Sequence, residues 1–556
     1  MTREIPFRIG PLDAILILCV ASFSILPVLV IGPPVGTADL VHHLQIANAY
    51  SMAFESGHFI PDWVAAENQG YGAVTVRFYP PLMHMSIAAF HLVTGKWHLA
   101  VFAAFTMWSF TGGWGVFLWT RDILNSRSAA IAAACVFAFS PYHLNQFYNS
   151  FMWGEFAALS VLPFVFLFAR RVCSDGSIIN AVSLGISISL LILGNLPQTV
   201  IGLVCVGIYT LFAVKKETIV RQAIALSAAC VAGAALSAFY WVRVAYEANW
   251  INVSQPNNDP AYYFGNHFLL NGLEFDAQSL WFATLMLLAS VAGAVIALLV
   301  SGGYRAIRSN REIRALTVIG SVAVFLLLPV SRLMWEYVTP LQRVQFPWRF
   351  LSVVSLITSV LIGYSICIVI DGTFRVRRPA KLVITGVVLI FATFAVKQVI
   401  LGAFTTTADA FDDLPSRSLS SNGLPHWRPV WSSDDTFKVD KKVIAAERSL
   451  SIRRWDSLDR EFDINDGSSV ELRTAILYYP HWKATVNGEA AETSSVDGAL
   501  GLKIGSQSSN IALQFVEPEY TYISRLISLI AWAAAAFAIA WEIFDRNKSQ
   551  HIEINE

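Results

Sequence analysis

Thirteen apolar runs punctuate this sequence and leave few folds open to it. They fall near 12–31, 80–94, 98–120, 128–140, 155–169, 178–193, 198–214, 222–241, 279–301, 315–330, 350–370, 382–402 and 521–543. A helix needs about 20 apolar residues to cross a bilayer, and most of these runs approach that length. Charged residues are only 14% of the chain, against about 25% in soluble domains. The fold class is therefore a polytopic α-helical membrane protein with about 12–13 membrane helices. Lys plus Arg and Asp plus Glu are equal at 39 each, so net charge carries no nucleic-acid signal and the position of each charge matters more.

Short basic linkers separate many of the runs: Arg121/Arg127, Arg170/Arg171, Lys215/Lys216/Arg221, Arg305/Arg308/Arg311/Arg314, Arg375/Arg377/Arg378/Lys381 and Arg546/Lys548. The positive-inside rule places these in the cytoplasm together with Arg3 and Arg8. The first run is long for a signal-peptide core and lacks a small-x-small cleavage site, so it is expected to remain as the first membrane helix. The alternation closes if either the region 31–99 or the run 128–140 does not cross; the first is preferred, with 80–94, which begins at Pro80-Pro81 and carries His84 and His91, re-entrant or interfacial. About twelve crossings result, with both termini inside.

Four segments then face the other side: 32–97, 141–154, 242–278 and 403–519. The domain division is 1–402 as a membrane domain carrying the first three, 403–519 as an extracytoplasmic β-sandwich-like domain, and 520–556 as a final helix with a cytoplasmic tail. The β assignment rests on period-two alternation in "SLSIRRWD", "VELRTAILYY", "WKATVNGE", "LGLKIG" and "NIALQFVE". Asn487-Gly488 is a hairpin-turn signal. None of the six cysteines falls in 404–518, so no disulfide framework supports this domain, and no metal-type cysteine spacing occurs.

The apolar runs are almost free of ionisable residues. Pumps and ion-coupled transporters generally carry such groups at the midplane, so that reading is disfavoured. Polar chemistry gathers at the outer face instead. Asp39 opens a helical stretch running to about Glu55, with His43 four residues and His42 three residues away on the same surface. Spacing alone leaves Asp39 open between a helix cap and a base. Glu155 opens another run after Gly154, flanked by Tyr142, Phe147, Tyr148 and Trp153. It is open between a helix-dipole partner and a functional acid. Arg343 and Arg349 in "LQRVQFPWRF" stand where the positive-inside rule disfavours arginine. They are open between phosphate recognition and pairing with an acid such as Glu247 or Glu336. Arg77 in "VRFYPPL" is a weaker member of the same set. No P-loop, no dinucleotide glycine motif, no H-E-x-x-H and no G-x-S-x-G is present.

With "GTADLVHHLQIANAY", "RFYPPLMHMSIAAF", "SPYHLNQFYNSFMWGEFAAL", "QFPWRFL" and "YYPHWKATVNGE", the chain resembles the GT-C superfamily of membrane glycosyltransferases. More narrowly it resembles bacterial 6-pyruvoyl-tetrahydropterin synthase-related and YfhO-like membrane proteins. The resemblance implies transfer of a sugar from a polyprenyl-phosphate donor to a glycan, lipid or protein acceptor, at the outer face of a bacterial inner membrane. It implies Asp39 as base and Glu155 as second acid. It implies Arg343, Arg349 and Arg77 at the donor phosphate, and His42, His43, Tyr79, Tyr142, Tyr148 and Trp153 at substrate. The Asp-x-Asp and W-W-D-Y-G patterns of some relatives are absent. No cofactor is assigned, and a divalent metal stays an open question. A glycan or lipid transporter, or a non-catalytic envelope scaffold, is the alternative.

Overall fold

The computed structural model describes residues 10–36, 38–252, 262–271, 277–370, 393, 397, 399–417, 427–438 and 441–555. Twelve of the thirteen apolar runs coincide with helices. The thirteenth, 382–402, lies almost wholly outside the described residues, as does the basic linker 375–381.

Among the described residues, seven helices are long and apolar enough to cross a membrane: Trp97–Leu124, Trp153–Asp175, Leu196–Ala213, Lys216–Leu236, Leu280–Val300, Pro347–Val369 and Glu519–Phe544. An eighth span is formed if Arg311–Leu327 and Pro329–Tyr337 count together across their 88° bend. The expected number was higher because several runs fold into shorter helices. The first run is split into Pro11–Ile25 and Pro27–Val30, at a proline that has no backbone N–H and crowds the preceding turn. Arg127–Ala138 and Leu82–Thr94 have 12 and 13 residues, about 20 Å of helix at 1.5 Å per residue. That is short of a hydrocarbon core of about 30 Å. Leu82–Thr94 follows Pro80-Pro81 and stops at Gly95, whose φ of 62° makes a left-handed cap.

The C-terminal domain holds nine strands in two antiparallel sheets. One sheet has the order β1-β4-β8-β7: Val443–Ile444, Val470–Leu477, Ala499–Ile504 and Thr493–Val496. The other has the order β2-β3-β9-β5-β6: Leu450–Trp455, Asp459–Ile464, Ser509–Phe515, Trp482–Val486 and Glu489–Ala491. Asn487 and Gly488 take φ of 53° and 85° between Val486 and its partner Glu489, the left-handed pair that a two-residue hairpin requires. Asp497-Gly498, with φ of 50° and 80°, repeats the device between β7 and β8.

The sandwich core is made of Phe462, Leu472, Trp482, Leu502, Ile511 and Leu513, among others, and it does not close by itself. Trp63, Tyr71, Val74 and Phe78 of the first long loop belong to the same buried cluster. The Leu477 N–H donates to the Tyr71 carbonyl at 2.8 Å. The segment 63–78 is thus clamped between the membrane helices and the β domain. The last helix, Glu519–Asn555, follows β9 directly and packs along Ala238–Glu247 and Ile219–Leu236.

Candidate active site

Four elements meet around a cavity of about 770 Å³. The helix Ala38–Glu55 brings Asp39, His42 and His43. The turn after Thr75–Phe78 brings Tyr79. The segment 339–349 brings Arg343 and Arg349, and the chain around 427 brings Trp427. The wall between these polar groups is largely apolar and aromatic, with Phe78, Phe151, Tyr262, Tyr263 and Phe346 among it. Such a surface suits an amphipathic ligand held by a few polar contacts.

Asp39 is half-buried at the start of its helix. Burial raises its carboxyl above the ordinary carboxylate range, and the charge of Arg349 offsets part of that rise. A carboxylate in this state is a better proton acceptor than one in water. Arg343 is exposed at the cavity wall, and among the described residues no acid pairs with it; neither Glu247 nor Glu336 does. Arg349 is almost buried at 7% exposure. Its Nη1 donates to the Val344 carbonyl at 3.0 Å, and its guanidinium lies 5.0 Å from the Phe346 ring centre.

Glu155 sits behind Arg349, not in the cavity. It is fully buried, 3.3 Å from Arg349 Nε. It accepts hydrogen bonds from the Tyr142 hydroxyl at 2.5 Å and from Gln198 Nε2 at 3.0 Å. A buried carboxylate needs a counter-charge and donors for its oxygens, and this one has both. Its place differs from the sequence-based expectation: Glu155 is not among the residues that line the cavity, and its carboxylate is paired with Arg349, which does line it.

His43 is committed on both nitrogens. Nε2 lies 2.6 Å from the Phe151 carbonyl, so it carries the proton. Nδ1 then accepts from His84 Nε2 at 2.9 Å. Burial, first of all, holds His43 well below its ordinary range, and its ring stacks on Trp153 at 5.0 Å. The ring lines the cavity together with Asp39.

Three expected substrate contacts are placed elsewhere. Trp153 is fully buried under His43. Tyr142 is turned to Glu155, and the Tyr148 hydroxyl donates to the Ser24 carbonyl at 2.9 Å. Aromatic side chains at interface depth are as useful to a core as to a ligand, and here the core takes them. Arg77 is also withdrawn. It is fully buried, with Nε and Nη2 forked onto Glu247 at 2.7 and 2.6 Å and Nη1 on Glu517, so no face of it is left for a phosphate. Tyr79 does line the cavity, and further lining aromatics, Tyr262, Tyr263, Phe346 and Trp427, come from irregular segments, where no periodicity marks them.

Among the described residues, no group of three or more His, Cys, Asp or Glu could hold a metal ion. The donor set agrees: Asp39 is the one acid in the described cavity lining, both ring nitrogens of His43 are committed, and Glu155 is paired with Arg349. The described residues of this cavity do not make up a metal centre.

A family model described as the 6-pyruvoyl-tetrahydropterin synthase related domain, a membrane protein, matches residues 76–400, more than half of the chain. No curated protein matches the sequence. Among solved structures, the mycobacterial arabinofuranosyltransferase AftD aligns at TM-score 0.44 and 17% identity, over 71% of this chain and 27% of that one. The oligosaccharyltransferase of Archaeoglobus fulgidus aligns at TM-score 0.41 and 15% identity, over 75% of this chain and 56% of that one. The chain thus spans about a quarter of the first and just over half of the second.

Proposed function

The chain belongs to the 6-pyruvoyl-tetrahydropterin synthase related family of membrane proteins, and we propose that it is a membrane glycosyltransferase using a polyprenyl-phosphate-linked sugar on the extracytoplasmic face. One observation carries this reading: a half-buried acid, Asp39, shares one cavity of about 770 Å³ with two arginines, Arg343 and Arg349. An acid that accepts a proton and cations that receive a phosphate are the two groups that sugar transfer from a lipid phosphate requires. Supporting it are the resemblance of the loop motifs to GT-C enzymes and the scarcity of ionisable groups within the spans.

In the reaction, the donor phosphate lies against Arg343 and Arg349. Guanidinium matches phosphate oxygens in a planar fork. As the anomeric carbon–oxygen bond breaks, negative charge grows on the leaving phosphate, and these cations stabilise it more in the transition state than before. Asp39 takes the proton from the acceptor hydroxyl as that oxygen bonds to the anomeric carbon. Glu155, with Tyr142 and Gln198, fixes Arg349 so that its orientation need not be found during the reaction. The apolar walls take the first part of the lipid tail. The acceptor is a glycan, lipid or protein hydroxyl or amide.

The test is Asp39→Asn at normal protein level, with extracted glycans and glycolipids analysed by mass. Loss of one glycosylated product, with the unglycosylated acceptor accumulating, is the expected result. In membranes the wild-type rate should fall as pH drops through a value above the ordinary aspartate range, because Asp39 must be ionised to act. Unchanged products would remove Asp39 as the base. Equal movement of sugar-lipid across the membrane in wild type and variant, with no transfer in either, would favour a transporter.

A further inference from the structure

A second cavity, of about 500 Å³, shares no lining residue with the first and lies in the seam between the first long loop and the β domain. Ala65, Gln69, Gly70 and Tyr71 supply one side. Lys442, Trp455, Asp456 and Arg460 supply the other. Neither the loop nor the sandwich makes this cavity alone.

Its chemistry is cationic and aromatic. Arg460 is 3% exposed, and its Nε has no hydrogen-bond acceptor among the described residues. Its Nη1 reaches only the Asp459 carbonyl, at 3.2 Å. The guanidinium lies 5.1 Å from the Trp455 ring centre and 5.7 Å from that of Trp482. Lys442 Nζ lies 5.6 Å from Trp455. Two cations therefore bracket one indole at a cavity wall, with a buried N–H pointing at no partner. Burial pushes the Arg460 guanidinium down to about 10, although Asp456 and Asp459 act against the shift. A buried unsatisfied N–H of a charged group is more costly than one of a neutral group. It is retained where something supplies the missing acceptor.

The geometry points to a binding site for an acidic saccharide, whose carboxylate or phosphate oxygens meet Arg460 and Lys442 while a ring face lies along Trp455. The anion half of this assignment stands on the cavity alone. The saccharide half rests on the glycosyltransferase reading above and deepens it: the seam would hold a remote part of the acceptor glycan, with the reacting hydroxyl free to reach Asp39. Binding energy gathered far from the reacting bond is what allows an enzyme to select its substrate without slowing the chemistry.

The test is calorimetric titration of the full-length protein in detergent with three probes: a uronic-acid disaccharide, its neutral counterpart and inorganic phosphate. The uronic-acid probe should bind, and the neutral one should bind at least tenfold more weakly. Lys442→Gln, at an exposed position, should weaken binding by roughly tenfold, the worth of one charge-assisted contact. Arg460→Lys, which keeps the charge but loses the fork, should weaken it further, with thermal unfolding confirming that each variant is folded. Asp39→Asn should bind like wild type, so a failure of the transferase reading and a failure of this site are read separately. No binding of the uronic-acid probe, equal binding of the neutral one, or affinity untouched by both substitutions would overturn the proposal. Phosphate binding alone would overturn the saccharide assignment.

Discussion

At the scale of single residues, burial decides which ionisable groups work and which merely hold. Glu67 is the clearest case of the second kind. It is 1% exposed, and its carboxyl accepts from the Thr75 hydroxyl at 3.0 and 3.1 Å. Burial raises it from 4.5 to about 7, with the Thr75 bond acting the other way. The folded chain therefore keeps a proton there between pH 4.5 and 7 that the unfolded chain has lost. Stability from this group is fully present below about 4.5 and is lost as pH climbs to about 7, by roughly 3 kcal/mol in total. Glu67→Gln keeps the acceptor for Thr75 and removes the ionisation. Its melting temperature should match wild type at pH 5 and exceed it at pH 8. Parallel curves at both pH values would show that Glu67 is not the group responsible. Asp39 is less buried, and the charge of Arg349 offsets part of the rise that burial gives its carboxyl.

At the scale of elements, the site depends on how closely two membrane helices cross. Gly154 precedes Glu155, and a Cβ placed on it would lie 2.6 Å from the Gly194 carbonyl oxygen. A Cβ on Gly194 would meet three atoms of Ala158 at 3.1 Å. The helices Trp153–Asp175 and Ile178–Gly194 therefore touch backbone to backbone where Glu155 is set. Gly154→Ala must push the helix start aside and move the carboxylate that holds Arg349. Shifts of about 1 Å at a reacting centre cost up to a hundredfold in rate, so transfer should fall by at least tenfold while protein level and donor binding change less. An unaltered rate would separate Glu155 from the catalytic machinery.

The same elements show what the sequence discloses and what it hides. Asp39, Arg343 and Arg349 stand out because charge is conspicuous in apolar surroundings, and all three line the cavity. Period two exposed the strands, and Asn487-Gly488 exposed a hairpin. Tyr142, Tyr148 and Trp153 were misleading because an aromatic residue at interface depth has the same appearance whether it packs or binds. The pairing of Glu155 with Arg349 spans 194 positions, and that of Arg77 with Glu517 spans 440. Neither leaves a trace in local spacing, and Trp427 reaches the cavity from a connection with no period at all.

At the scale of the whole molecule, one buried ionic cluster ties the membrane domain to the β domain. Arg77 belongs to the first outer loop, Glu247 closes the helix Ala238–Glu247, and Glu517 lies between β9 and the last helix. Tyr479 and Tyr520 donate to Glu247 at 2.5 and 2.7 Å. Beside them, Asp62 pairs with Arg243 at 3.5 Å and with Arg525 at 2.5 Å. Three arginines thus face three acids across four parts of the chain. Breaking a buried pair by removing one partner costs about 3–5 kcal/mol, whereas replacing the whole group can be neutral. Arg77→Met should therefore leave Glu247 and Glu517 uncompensated, lower the melting temperature and let a protease cut the connection 403–442 faster. The triple variant Arg77→Met/Glu247→Gln/Glu517→Gln should regain much of the lost stability. Transfer activity should follow the same course, falling in the single variant and returning in the triple, because Asp39 and Tyr79 lie on the outer loop that Arg77 anchors. If Arg77 instead held the donor phosphate, the triple variant would stay inactive however well it folded. If the single variant melted and resisted protease like wild type, the cluster would not be what joins the two domains.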